Sequence, residues 1–239
     1  QPVTVYTIPT STFSATPTGV CVGQTTSLTY SGNAGAGATY NWNFVSGTAL
    51  PGATNQGPQT LSWATSGVKN VTLSVTENGC VSPVTTVPVE VYVTPTANFS
   101  VTPAVCPGAD ATVTYSGSGS AAATYSWNFN GGVSTPAPGG SGPYAVNWAT
   151  SGTKTISLIV TENGCASQAF TQNVNVYTIP SSSFTATSPV CAGSPTSVTY
   201  TGGAAATSSF AWNFPGGSPA VPAGVGPHNI VFNTAGTYL

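Results

Sequence analysis

Ser66-Gly67-Val68-Lys69-Asn70-Val71-Thr72-Leu73-Ser74-Val75-Thr76-Glu77-Asn78-Gly79-Cys80 decides how the rest of the chain is read. From Val71 to Thr76 apolar and hydroxyl side chains alternate at period two, the signature of a strand with one face buried. Eighty-five residues on, the string returns as Ser151-Gly152-Thr153-Lys154-Thr155-Ile156-Ser157-Leu158-Ile159-Val160-Thr161-Glu162-Asn163-Gly164-Cys165. The same interval separates Cys21, Cys106 and Cys191, and again Trp42, Trp127 and Trp212. Self-similarity at a fixed period marks a repeat architecture, so three homologous units are expected.

Each unit opens with Pro and a hydroxyl residue ahead of a Phe, at Phe13, Phe99 and Phe184. The expected division is a closing strand of a preceding unit over residues 1–8, then units over 9–94, 95–179 and 180–239, the last incomplete. Gln1–Ile8 matches Gln172–Ile179, the closing strand of the second unit, and Leu239 falls in register with Asn70. A chain without Met that opens on Gln1 reads as a window cut from a longer array.

Within the second unit, strands are expected at about 98–101, 112–115, 124–129, 144–148, 153–161 and 170–177. Helical periodicity is absent. Six or seven short strands in about 85 residues form an all-β, antiparallel sandwich. Parity places Tyr125, Trp127, Phe129, Ile156, Leu158 and Val160 inward, with Ser126, Asn128, Thr155 and Ser157 outward.

Composition narrows the function. Of 239 residues only 2 are Lys or Arg and 4 are Asp or Glu, while 40% are hydrophobic and 10% aromatic. A nucleic-acid binder that works by counterion release needs several cations on phosphates, so that class is set aside. No apolar run approaches the ~20 residues of a membrane span, and membrane insertion is not expected. Lys69, Lys154, Asp110, Glu77, Glu90, Glu162 and His228 are too scattered to supply an acid, a base and an orienting partner in one pocket, so no enzyme is expected. No cofactor or metal is expected either. His228 reads as a solvated loop residue beside Pro227, no Cys-x-x-Cys pair offers zinc ligands, and calcium would need more carboxylates than any unit carries. The Trp residues recur at core parity and read as packing rather than as a sugar-stacking platform.

Tyr40-Asn41-Trp42-Asn43-Phe44, its copies at 125–129 and 210–214, and the Ser66–Cys80 string resemble the PKD-type immunoglobulin-like domain. The resemblance is strongest to versions found in tandem in very large secreted proteins of Bacteroidetes-like bacteria. They look like that family's Trp-Asp-Phe-Gly-Asp-Gly and Gly-Thr-Tyr-Thr-Val-Thr-Leu strands, with Asn43, Asn128 and Asn213 in place of the acids and Lys69 and Lys154 in place of a Tyr that Tyr238 keeps. The resemblance implies a spacer, stalk, adhesive or interaction module outside the cell.

Five cysteines in an exported chain suggest disulfides. The obvious pairs, Cys21–Cys80 and Cys106–Cys165, lie within units. In an Ig-like strand order, however, Cys106 falls in the first loop and Cys165 in the last turn, at opposite ends of the sandwich. A strand of about eight residues at roughly 3.3 Å each keeps them about 26 Å apart, beyond disulfide reach. When units run in series, the first loop of one abuts the last turn of the next. The favoured pair is therefore Cys21–Cys165, a cross-unit staple that leaves Cys80, Cys106 and Cys191 to partners outside the window. By the same geometry Lys69 could approach Glu162.

Asn70-Val71-Thr72 and Asn98-Phe99-Ser100 are sequons, making Asn70 and Asn98 candidate glycosylation sites. A nearly uncharged surface favours association unless something covers it. Two expectations follow: an extracellular or cell-surface rod that self-associates into fibres and carries covalent glycans, or an adhesin stalk or carbohydrate- or protein-binding appendage of a larger secreted protein.

Overall fold

Alternation along the chain is converted into strands wherever a second alternating run lies opposite, and every regular element among the described residues is a strand. The computed structural model describes all residues except Ala36, Ala206 and Leu239. Unit one holds β1 (Phe13–Thr16), β2 (Gly19–Cys21), β3 (Thr25–Tyr30), β4 (Thr39–Asn43), β5 (Thr48–Leu50), β6 (Gln59–Ser62), β7 (Gly67–Glu77), β8 (Cys80–Val81) and β9 (Thr85–Tyr92). One sheet runs β1-β3-β6-β5 and the other β2-β9-β7-β4, with β8 paired to the end of β7. The pairing of β2 with β9 is parallel; the rest of both ladders is antiparallel.

Unit two repeats this with β10 (Phe99–Val101), β11 (Ala104–Val105), β12 (Ala111–Tyr115), β13 (Thr124–Asn128), β14 (Val133–Thr135), β15 (Tyr144–Asn147), β16 (Gly152–Glu162), β17 (Cys165–Ala166) and β18 (Phe170–Val176). Its sheets are β10-β12-β15-β14 and β11-β18-β16-β13, β17 pairing β16. The expected strands all form. The additional ones, β11, β14 and β17, are two or three residues long, too short for a period to register in the sequence.

The two inner faces of each sandwich make its core. Leu28, Leu61, Val71, Leu73, Val75 and Val89 are sealed in unit one; Val113, Val146, Ile156, Leu158, Val160 and Val174 are sealed in unit two. Each such side chain contributes roughly 1.5–3 kcal/mol through burial. Trp63 and Trp148 are buried members of the two cores, their Nε1 donating to the carbonyls of Phe44 and Phe129 at 2.8 Å in both cases. Trp42 is buried, Trp127 and Trp212 half-buried, and in all three units the Trp stacks on the Phe two residues later.

Unit three is different. Its β19 (Phe184–Ala186), β20 (Pro195–Tyr200), β21 (Gly217–Ser218) and β22 (His228–Phe232) form one sheet, β19-β20-β22-β21. The counterpart of β13 makes a bridge between Ala211 and Ala223, with no long strand beside it among the described residues. Phe13 and Phe99 are 7% and 3% exposed, whereas Phe184 is 55% exposed. Gln1–Ile8 joins no strand, and Val3 and Val5 are each 86% exposed.

One expectation about a side chain is corrected. His228 is not a solvated loop residue: it sits on β22, only 9% exposed, its ring edge-on to Trp212 at 5.1 Å between centroids. It follows Gly226-Pro227 as Gln59 follows Gly57-Pro58 and Tyr144 follows Gly142-Pro143, so three different side chains plug one buried position.

Candidate functional site at the junction between units

Cys21 ends β2, and two sets of backbone bonds hold it there. Parallel pairing sets Cys21 opposite Tyr92, with the Val22 amide donating to the Tyr92 carbonyl at 3.0 Å. Beyond it the Gln24 amide returns to the Cys21 carbonyl at 2.9 Å, and Gly23 donates to Trp63 at 2.8 Å. Cys165 starts β17 after the two-residue turn Asn163-Gly164, whose φ values of 50° and 77° belong to the mirror-image turn that fits the twist of a hairpin. Ser167 locks this hairpin, its amide donating to Val160 O at 2.8 Å and its Oγ accepting from Val160 N at 3.0 Å.

A disulfide joins Cys21 to Cys165 across 144 residues of sequence, with 5.7 Å between the Cα atoms. The cross-unit pair is thus the one the structure holds, and the within-unit pairs Cys21–Cys80 and Cys106–Cys165 are not formed. The reason is register. Cys106 follows Val105, which stands opposite Val176 and so beside Gly152, while Cys165 stands opposite Glu162. The length of β16 between those ends is about 33 Å at roughly 3.3 Å per residue. Cys165 is almost fully buried, Cys80 half-buried, and Cys106 and Cys191 exposed as thiols. The clamp borders a small groove lined by Pro17, Gly19 and Thr94 from unit one and by Gly164 and Ala166 from unit two.

The covalent segment between units is short because unit two claims its beginning. Tyr115 donates its hydroxyl to the Thr96 carbonyl at 2.8 Å, the Thr96 amide donates to Ser118 Oγ at 3.0 Å, and the Ser118 amide donates to Thr96 Oγ1 at 3.0 Å. Ala97 is buried in the core behind them. Only Val93-Thr94-Pro95 lies between this tether and the end of β9. The same tether opens unit one, where Tyr30 donates to Thr10 O at 2.6 Å, and unit three, where Tyr200 donates to Ser181 O. Sequence reasoning did not single out these tyrosines, although Tyr30, Tyr115 and Tyr200 recur at the same 85-residue interval as the Cys and Trp marks.

The sparse charges serve loops rather than one another. Glu77 Oε1 accepts from the Gly35 amide at 2.9 Å, and Glu162 accepts from the amide and hydroxyl of Ser120. Lys69 donates to Thr65 Oγ1 at 3.0 Å and to Ser66 O at 3.1 Å, so the pair expected with Glu162 is not made. Lys154 donates to Thr150 Oγ1, and Asp110 accepts from Asn147 Nδ2. Among the described residues no three His, Cys, Asp or Glu side chains come together around a common point. Burial raises the Tyr40 hydroxyl above the ordinary tyrosine range, helped by Tyr30 and Glu77; burial does the same to Tyr125, helped by Tyr115 and Glu162. Both phenols stay protonated and donate to loop carbonyls, Tyr40 to Gly35 O at 3.1 Å and Tyr125 to Gly119 O at 2.9 Å. Asn70 and Asn98 are exposed.

No family model matches the chain, and no curated protein does. Solved structures do. A fragment of the titin I-band matches at 10% identity with a TM-score of 0.50, over 84% of this chain and 78% of that one. A variant of the same three immunoglobulin domains of titin gives 9% identity and 0.49, over 97% and 90%. Invasin, a bacterial integrin-binding protein, gives 16% identity and 0.37, over 94% and 55%. At these identities the likeness concerns fold alone: the chain is all-β, built of immunoglobulin-like domains in tandem.

Proposed function

We propose that this chain is a non-catalytic structural segment of an extracellular or cell-surface filament, made of PKD-type immunoglobulin-like repeats run in series and clothed in glycan. The observation that carries the reading is the Cys21–Cys165 bond between successive units. Tandem domains ordinarily hinge about their linkers. Here a three-residue spacer and a covalent clamp act side by side, which suits a part whose task is to hold length and direction. A disulfide also fits an oxidising compartment. The scarcity of charge supports self-association into fibres, and exposed Asn70 and Asn98 are the places where glycan would attach.

The appendage alternative would be favoured by exposed aromatics clustered on one face of every unit. Instead the conspicuous exposed aromatics, Tyr6, Tyr177, Phe184 and Tyr238, lie at unit boundaries and in unit three. Low-dose electron microscopy of the native material tests the reading: continuous fibres are expected, and short rods attached to a globular head would overturn it. Intact mass spectrometry tests the glycan, which should raise the mass above that of the polypeptide.

A further inference from the structure

The Cys21–Cys165 bond encloses residues 22–164, most of two sandwiches, in one covalent loop. The strands left outside that loop lie along the direction in which the units follow one another. β1 and β2 carry the chain through unit one to Cys21, and β2 runs parallel to β9, which leaves for unit two through Val93-Thr94-Pro95. Beyond the bond, Cys165 opens β17, and β18 then carries the chain back along β16 until Val176 stands opposite Gly152. Two covalent connections therefore cross the junction side by side: the three-residue spacer after β9 and the sulfur bridge after β2.

Lengths decide which route is taut. β7 and β16 each hold 11 residues, so at roughly 3.3 Å per residue a folded unit is about 33 Å deep along its strands, and two in series span at least about 66 Å. From Pro9 through the bond to Ile179 the bridged route has roughly 13 residues in unit one and roughly 15 in unit two, at most about 100 Å when drawn straight. The route through every residue from 9 to 179 would reach about 600 Å. The bridged route thus has little slack over the folded length, and the other has several times that length in reserve. The bond is also placed to last. Cys165 is 1% exposed, and a sulfur without solvent access is a poor target for thiol exchange. Both of its ends are tied into backbone ladders, Cys21 opposite Tyr92 and Cys165 opposite Glu162.

We propose that tension along the chain passes through β1, β2, the Cys21–Cys165 bond, β17 and β18, and that the bond is an extension limiter which takes the bodies of units one and two out of the load path. Force that draws this route taut strips at most the strands that lie on it; residues 22–164 stay beside it as a closed loop and are not stretched. The position of the bond follows from this role in a way that stiffness alone does not explain. A bond anywhere across the junction would stop hinging, whereas one that joins the last residue of β2 to the first residue of β17 leaves outside the loop only strands that already run along the units. The benefit is to the cores. Pulling β7 or β16 out of its sheet would bare Val71, Leu73 and Val75, or Ile156, Leu158 and Val160, on unpaired strands open to pairing with a neighbour.

This inference rests on the filament reading for its use, and its geometry is tested on the 239-residue chain by single-molecule stretching between handles at the two ends. Unit three contributes equally to every variant, so the differences report the loop. In dithiothreitol the fully stretched chain should gain about 500 Å of contour length over the unreduced chain, the reach of the 144-residue separation at about 3.3–3.6 Å per residue. Cys21→Ser should show that full length without reductant, and Cys80→Ser should match the unsubstituted chain. Equal contour lengths for the unreduced chain and Cys21→Ser would overturn the proposal. So would a Cys21→Ser chain that recovers only about half of the gain seen in dithiothreitol, as two bonds within units would give. Electron microscopy decides the filament reading separately: short rods on a globular head would overturn that reading and leave the length difference intact.

Discussion

Gln59 is a fully buried amide beside a largely apolar core, and its side-chain bonds are accounted for. Its Nε2 donates to the carbonyls of Gly52 and Asn55, both at 2.9 Å, while Oε1 accepts from the Gly52 amide at 3.0 Å. Gln59→Leu keeps the volume and strands those backbone groups, so unfolding in urea should show a loss of about 1–3 kcal/mol. The tyrosines offer a second reading at this scale. With folded pKa values raised above the unfolded value of about 10, Tyr40 and Tyr125 contribute stability that is whole below pH 10 and is lost as pH rises through their folded values. Alkaline titration followed by tyrosinate absorbance should show a late-ionising class that coincides with loss of fold, and its replacement by a single uniform class would contradict the assignment. Residue identity was legible where parity decided it, as at Ile156, Leu158 and Val160. It failed at His228, because a buried position set by a preceding Gly-Pro turn accepts Gln, Tyr or His and leaves no periodic trace.

The elements that were readable are the long ones. Eleven residues of β16 give several turns of alternation, whereas β11 and β17, at two residues each, are defined only by what they pair with. The tether that opens each unit is an element of the same hidden kind. A Cβ on Gly117 would lie 2.1 Å from the Thr96 carbonyl oxygen, and the same crowding holds at Gly32 against Thr10 and at Gly202 against Ser181. Backbone cannot yield as a flexible side chain can, so Gly117→Ala should displace the opening strand and destabilise unit two by about 1–3 kcal/mol. Hydrogen exchange of residues 96–101 would report it, with protection falling there first; unchanged protection would show that the tether is dispensable.

At the scale of the molecule, the threefold recurrence made the array readable before any strand was placed, and the cross-unit clamp followed from strand order together with the span of one strand. Unit three was expected to be incomplete over 180–239, and among the described residues its strands form the single sheet β19-β20-β22-β21. The clamp is the feature on which a stiff extracellular part depends. Reducing it should loosen the joint without melting either sandwich, because each core is closed within its own unit. Small-angle scattering should then show a broader distribution of inter-unit distances while the strand signal in circular dichroism persists. The most direct measurement is digestion of the unreduced protein followed by mass spectrometry of linked peptides. A clamp between successive units predicts one peptide pair joining Cys21 to Cys165; recovery of Cys21 bonded to Cys80, or of Cys106 bonded to Cys165, would contradict it.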